Sequence, residues 1–195
     1  MSAVIAAPET IATRRLILRR VSPADAQGAF DAYAADPGVT RFHSWPPAAA
    51  VADVERHFVK VSAAWNEGRL FTWTALLGEG GALIGLLDAR VDAYMLNISY
   101  MIGRRFWNAG YATEAVRALC DWADREPSIA RIWAVCALDN PASARVLEKA
   151  GLVRGGTLRR WAVLPNISGV PQDCVCYART KDVTPGRLRR IEGCG

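Results

Sequence analysis

A chain of 195 residues, 51% of them hydrophobic, is long enough to bury a substantial core, and a formal charge of +5 favours anionic partners. The five cysteines lack a C-x-x-C pair and form no zinc spacing with His43 and His57, so no metal and a reduced, cytoplasmic setting are expected. No apolar run is long enough to span a bilayer, and the first residues lack the basic start of a signal peptide, which argues against a membrane.

In chain order, residues 14–20 (R-R-L-I-L-R-R) read as a first strand with an apolar centre. Ser22 then serves as an N-cap, Pro23 as the first helical residue and Asp25 as a first-turn acid. That helix is expected to run to about Ala35, where Asp36-Pro37-Gly38 stops it and a loop over 39–47 follows. Val51, Val54, Phe58, Val61 and Trp65 are spaced for one face of a second helix, ended at Gly68. Residues 70–77 and 82–91 read as a hairpin around a glycine-rich turn, and 96–102 as a further strand. A helix to about Arg125 and a buried strand over 131–138 come next. Asn140 and Pro141 open a last helix that Gly151 ends. Two closing strands are expected over 152–163 and 173–179, separated by a turn-rich loop; Cys174 and Cys176 share a face of the second. The order β-α-α-β-β-β-α-β-α-β-β places the chain in the α/β (α+β) class with a mixed sheet. One domain over 13–180 is expected, with an N-terminal extension over 1–12 and a basic tail over 181–195 that frays.

The stretch 100–115, Y-M-I-G-R-R-F-W-N-A-G-Y-A-T-E-A, organises the rest. An apolar strand (Ile98, Tyr100, Ile102) ends at Gly103, and a helix begins beyond Gly110 with Ala112, Ala115, Val116, Leu119 and Ala123 on one face. A helix entered through small residues leaves its first N–H groups unpaired, which makes an anion site at the positive end of the helix dipole. Neither G-x-x-x-x-G-K-[ST] nor G-x-G-x-x-G is present, so a nucleoside-triphosphatase and a dinucleotide fold are disfavoured.

Three strings then occur in order: T-R-R-L-I-L-R-R-V-S-P-A-D-A, W-N-A-G-Y-A-T-E-A and D-N-P-A-S-A-R-V-L-E-K-A-G-L. Together they resemble the GNAT superfamily of N-acetyltransferases, in particular the branch of ribosomal-protein alanine and serine N-terminal acetyltransferases. The resemblance implies a twisted, mixed central sheet whose parallel strands splay apart, flanked by helices, with acetyl-CoA as co-substrate. It implies that Met101 and Ile102 face the pantetheine arm with their backbone and that Asn108, Ala109, Gly110, Tyr111 and Ala112 cradle the diphosphate. Asn140 would bond the pantetheine arm as well as cap its helix. Ser143 would stand near the sulfur, donating a hydrogen bond or proton to the departing thiolate. Dimers are common in the family, so a homodimer is among the expectations.

The chain departs from the family at several points. Asn97 stands where relatives often have glutamate, and Gly151-Leu152-Val153-Arg154-Gly155-Gly156 lacks the glutamate of G-F-x-x-E-G. The base is therefore unassigned; Asp88, Asp92 and His43 are candidates, and a water chain is an alternative. Phe42, His43, Trp45 and Asp88 are the expected acceptor-binding residues, with Tyr94 a further aromatic candidate. Glu114, Asp173 and Tyr177 read as structural. The leading expectation is transfer of acetyl to a primary amine, on a protein N-terminus or a small molecule. The missing glutamates keep open a non-catalytic acyl-CoA-binding regulatory module. Nucleic-acid binding through Arg187, Arg189 and Arg190 of the tail is the weakest of the three.

Overall fold

The computed structural model describes residues 5–78 and 80–182, so the basic tail from residue 183 and its nucleic-acid expectation lie outside the described residues. Eight strands form one sheet in the order β1-β2-β3-β4-β5-β6-β8-β7. They are β1 (Thr10–Ala12), β2 (Leu16–Arg20), β3 (Leu70–Leu77), β4 (Leu83–Asp92), β5 (Met95–Ile102), β6 (Arg131–Ala137), β7 (Val153–Leu164) and β8 (Ser168–Thr180). Helix α1 (Ala26–Ala29) is entered through a 3-10 turn (Pro23–Asp25) and continues as a π-helical turn (Phe30–Ala34). Four further helices follow: α2 (Pro37–Thr40), α3 (Val51–Asn66), α4 (Tyr111–Arg125) and α5 (Pro141–Lys149). Among the described residues no helix is long and apolar enough to cross a membrane.

Both faces of the sheet are covered, as the amphipathic spacings require. Val54, Phe58, Val61 and Met101 are buried between the sheet and α1–α3. On the other side Ala115, Val116, Leu119 and Ala123 of α4 are fully buried against strand residues such as Leu18, Leu87 and Ile98. Trp65, Phe71, Trp73 and Trp122 pack with their rings tilted or edge-on, at centroid distances of 5.0–6.2 Å.

Three expectations change. Strand β1 has only three residues, too few to show a period, and forms because Thr10, Ile11 and Ala12 find Arg19, Leu18 and Ile17 across a short turn. Asp36-Pro37-Gly38 ends one helix and also starts another: the Asp36 carboxylate accepts from Gly38 N–H (2.8 Å) and caps α2, so the loop begins later than expected. The closing loop is a tight turn over 165–167, because Ala162↔Gln172 and Leu164↔Ser168 extend the β7–β8 ladder through residues that look turn-forming in sequence.

The feature that positions the site is a fork. Strands β5 and β6 are parallel, yet only Met95, Leu96 and Asn97 pair with Arg131, Ile132 and Trp133. Asn97 Nδ2 donates to the Trp133 carbonyl (3.4 Å) at the last rung. Beyond it β5 stays with β4 through Ile102 and β6 stays with β8 through Ala137, so the two halves of the sheet part.

Candidate active site

The fork opens onto the loop singled out above. After Gly103 a 3-10 turn (Arg104–Phe106) reverses the chain, then Asn108 (φ +61°) and Gly110 (φ +80°) take left-handed conformations. Asparagine tolerates that region and glycine has no penalty there. The first backward bond of α4 runs from Glu114 N–H to the Gly110 carbonyl (3.1 Å). The N–H groups of Tyr111, Ala112 and Thr113 therefore have no partner among the described residues, and no side chain caps them. These residues line a cleft of about 400 Å³. Unpaired amides at a fifteen-residue helix's positive end suit a diphosphate.

Across the fork, α5 brings Ser143 to the same cleft. Asn140 caps α5, its Oδ1 accepting from Ser143 N–H (3.1 Å), which fixes the serine in the first turn. Tyr100 reaches over from β5: its hydroxyl lies 2.7 Å from Ser143 Oγ and donates to the Ser143 carbonyl at 3.1 Å. Burial pushes the Tyr100 phenol far above its ordinary range, so it remains protonated. The nearby Cys136 thiol is pushed up to about 11, chiefly by burial. Tyr100 escaped sequence reading because it alternates with Ile98 and Ile102 and looks like a core residue. The ladder turns its face toward α5.

The opposite bank comes from the chain after α1. Phe42, His43, Gly38 and Val39 line the cleft there, with Met101 of β5 between the banks. Burial pushes His43 down to about 4, so its imidazole is neutral at ordinary pH. This bank is tied down at long range. Arg104 Nε donates to Asp36 Oδ2 (2.9 Å), and a Cβ on Gly38 would collide with that guanidinium. On the loop side the tie is local, Trp107 Nε1 donating to the Ile102 carbonyl (2.6 Å). Asn166, in the β7–β8 turn, donates to the carbonyls of Thr40 (2.7 Å) and Trp45 (2.8 Å).

Of the residues expected from sequence, Met101, Ile102, Asn108, Gly110, Tyr111, Ala112, Asn140 and Ser143 line one cleft, together with Phe42 and His43. Three stand elsewhere. Ala109 turns its carbonyl to Arg15 Nη1 (2.9 Å). Trp45 packs against the α1–α3 core, 5.3 Å from the His43 ring. Asp88 faces the α1–α3 side of the sheet, where it accepts from Thr72 (2.6 Å) and Ser99 (3.4 Å), and burial raises its carboxyl above the usual range. It shares its face with Met101 but sits two residues further along the β4–β5 ladder, outside the cleft lining. Glu114 is a bracing residue, accepting from Thr13 Oγ1 (2.7 Å) and from the Arg15 backbone (2.8 Å).

The family model for the GNAT acetyltransferase domain matches residues 15–153. The uncharacterized N-acetyltransferase YoaA of Bacillus subtilis (strain 168) is 28% identical over 172 residues, 87% of this chain and 95% of its own. Among solved structures, RimL, a ribosomal L7/L12 alpha-N-protein acetyltransferase in complex with coenzyme A, superposes with a TM-score of 0.80. It shares 18% identity over 90% of this chain and all of its own. The microcin C7 self-immunity acetyltransferase MccE, in complex with acetyl-CoA and AMP, gives a TM-score of 0.81 at 17% identity, covering 90% and 98% of the two chains.

Proposed function

The chain belongs to the GNAT acetyltransferase family, enzymes that take acetyl from acetyl-CoA, and from that premise we propose that it acetylates a primary amine in the cleft at the β5–β6 fork. The observation that carries this reading is that one cleft holds both the unpaired amides of α4 and the Tyr100–Ser143 pair. Bound there, the thioester supplies an activated acyl carbon with thiolate as its leaving group. The amides of 111–113 hold the diphosphate, and the free edge of β5 beyond Asn97 offers backbone groups to the pantetheine arm and the thioester carbonyl. The neutral amine attacks, a C–N bond forms, the C–S bond breaks, and the amine loses one proton. Either partner of the Tyr100–Ser143 pair can donate; when the phenol hydrogen turns from the Ser143 carbonyl to Oγ, the serine hydrogen is free to bond the departing sulfur, and the proton released by the amine neutralises the thiolate. His43, neutral, accepts a hydrogen bond from the incoming amine and orients it, while water carries the proton away from the cleft mouth.

On the acceptor, the clamp from Asn166 to Thr40 and Trp45 favours entry end-on, which suits a chain terminus or a small amine. The test is free-thiol release from acetyl-CoA against a panel of N-terminal peptides and small amines, with mass detection of products. Equimolar thiol and N-acetylated product are expected. Thiol release without an acetylated amine would overturn the reading.

A further inference from the structure

We propose that Arg15 is a positioning residue for the phosphate loop, holding the loop and the α4 N-terminus in anion-binding geometry from behind. This rests on the reading that the unpaired amides receive the coenzyme diphosphate. Arg15 lies just before β2, stands outside the cleft lining, and is nearly a hundred residues away in sequence from what it holds. Its guanidinium grips one short segment at three points. Nε donates to Glu114 Oε2 (2.6 Å), Nη1 donates to the Ala109 carbonyl (2.9 Å), and the guanidinium carbon lies 4.4 Å from the centre of the Tyr111 ring. Its backbone N–H adds a bond to Glu114 Oε1 (2.8 Å), which also accepts from Thr13 Oγ1 (2.7 Å).

Two physical consequences follow. A peptide unit is planar and trans, so its C=O and the next N–H point in opposite directions. Drawing the Ala109 carbonyl back to Arg15 therefore aims the Gly110 N–H the other way, and Gly110 lines the cleft. The second consequence is electrostatic. Glu114 sits in the first turn of α4, beside the place an anion would occupy. Burial alone would raise its carboxyl, but the bonds from Thr13 and Arg15 outweigh that and hold it below the ordinary range, so it is ionised. Arg15 neutralises that charge, which would otherwise oppose the diphosphate. Lysine cannot do the same, because one ammonium lacks the planar fork that spans Glu114 and Ala109 together.

The experiment compares two donors, acetyl-CoA and S-acetylpantetheine, which carries the same thioester arm without phosphates. In Arg15→Gln the KM for acetyl-CoA is expected to rise about 10- to 100-fold, the range of one lost charge-assisted bond, with kcat changed far less. The kcat/KM for S-acetylpantetheine is expected to move less than about 2-fold, and Glu114→Gln added to Arg15→Gln to recover part of the acetyl-CoA loss by removing the unpaired charge. Equal losses with both donors, or no loss with either, would overturn the proposal. If Arg15→Gln fails to fold, Arg15→Lys carries the same comparison, with a smaller but still donor-selective loss expected. A wild-type enzyme that uses the two donors equally well would sink the diphosphate reading itself, which separates that failure from the failure of Arg15's role.

Discussion

On the α4 bank of the cleft the groups offered to a ligand are backbone amides, those of Tyr111, Ala112 and Thr113, set by a left-handed turn and a helix start. On the opposite bank they are side chains, Phe42 and His43, carried on a loop that is held by Asp36–Arg104 and by Asn166. The amides of the first bank come from one stretch of a dozen residues, although Arg15 braces it from behind; the second joins segments 68 and 126 residues apart. Backbone amides can recognise a phosphate whatever the side chains are, whereas a bank of loop side chains can change its selectivity with each substitution. The division fits a common donor and a particular acceptor.

That division can be broken at the place where the banks meet. Ser143→Ala is expected to lower kcat about 100-fold, the loss of a donor to the leaving group, with the KM of each substrate within about 2-fold. The buried Tyr100 hydroxyl keeps the residue 143 carbonyl as its acceptor, so the substitution leaves no orphaned phenol. Steady-state thiol release measures the effect, and an unchanged kcat would remove Ser143 from the chemistry.

The next two substitutions sharpen the contrast by acting on one bank each. Gly110→Ala imposes a side chain on a φ of +80°, at a strain of about 1 kcal/mol or more, and is expected to raise the KM for acetyl-CoA about 5- to 10-fold with the acceptor KM unchanged. A Cβ there makes only ordinary contact, 3.5 Å from Arg15, so the effect comes from backbone strain and not from collision. Asn166→Ala removes two hydrogen bonds from the opposite bank, worth about 1 kcal/mol net, and is expected to raise the acceptor KM about 5-fold while acetyl-CoA binding holds. Coenzyme titration beside acceptor kinetics reads both. If either variant moved both constants together, the two banks would be one coupled unit.

The same difference explains what was legible in the sequence. The strand, the glycine and the apolar face of α4 all lie within residues 98–123, and local rules suffice to read an anion site from them. Asn140 and Pro141 were legible for the same reason, a cap and a first turn, whereas the place of Ser143 near the sulfur came from the family resemblance alone. Tyr100 was not, because a strand period says that a residue faces a side of the sheet and leaves open what lies on that side. Asp88 was expected at the acceptor site, but its register opposite Ser99, two residues along the ladder from the Leu86–Met101 pair, leaves it outside the cleft lining. Asn166 reads as an ordinary turn residue until the hairpin folds back over the α2 loop. Arg15 looks like one charge among the four arginines of residues 14–20, and its role depends on Ala109 and Glu114 arriving beside it.

The smallest expected effect concerns the acceptor bank alone and has a definite sign. Burial holds His43 at about 4 in the folded chain, against roughly 6.5 for a free imidazole. Between those values the unfolded chain binds a proton that the folded chain refuses, so stability rises with pH across that window. The contribution is complete above about pH 6.5 and is lost as pH falls toward 4. Discounted for its partial exposure, it amounts to about 1 kcal/mol at pH 5. His43→Gln is expected to be less sensitive than the wild type by that amount when urea midpoints at pH 7 and pH 5 are compared. Taking the difference between the two proteins cancels groups that titrate in both, Asp88 among them. The kcat/KM profile of the wild type is expected to show no limb near 6.5 from His43, since the imidazole is already neutral there. A limb at that pH, abolished in His43→Gln, would mean that the ring gains and loses a proton during turnover, and would make His43 the base instead of an orienting group.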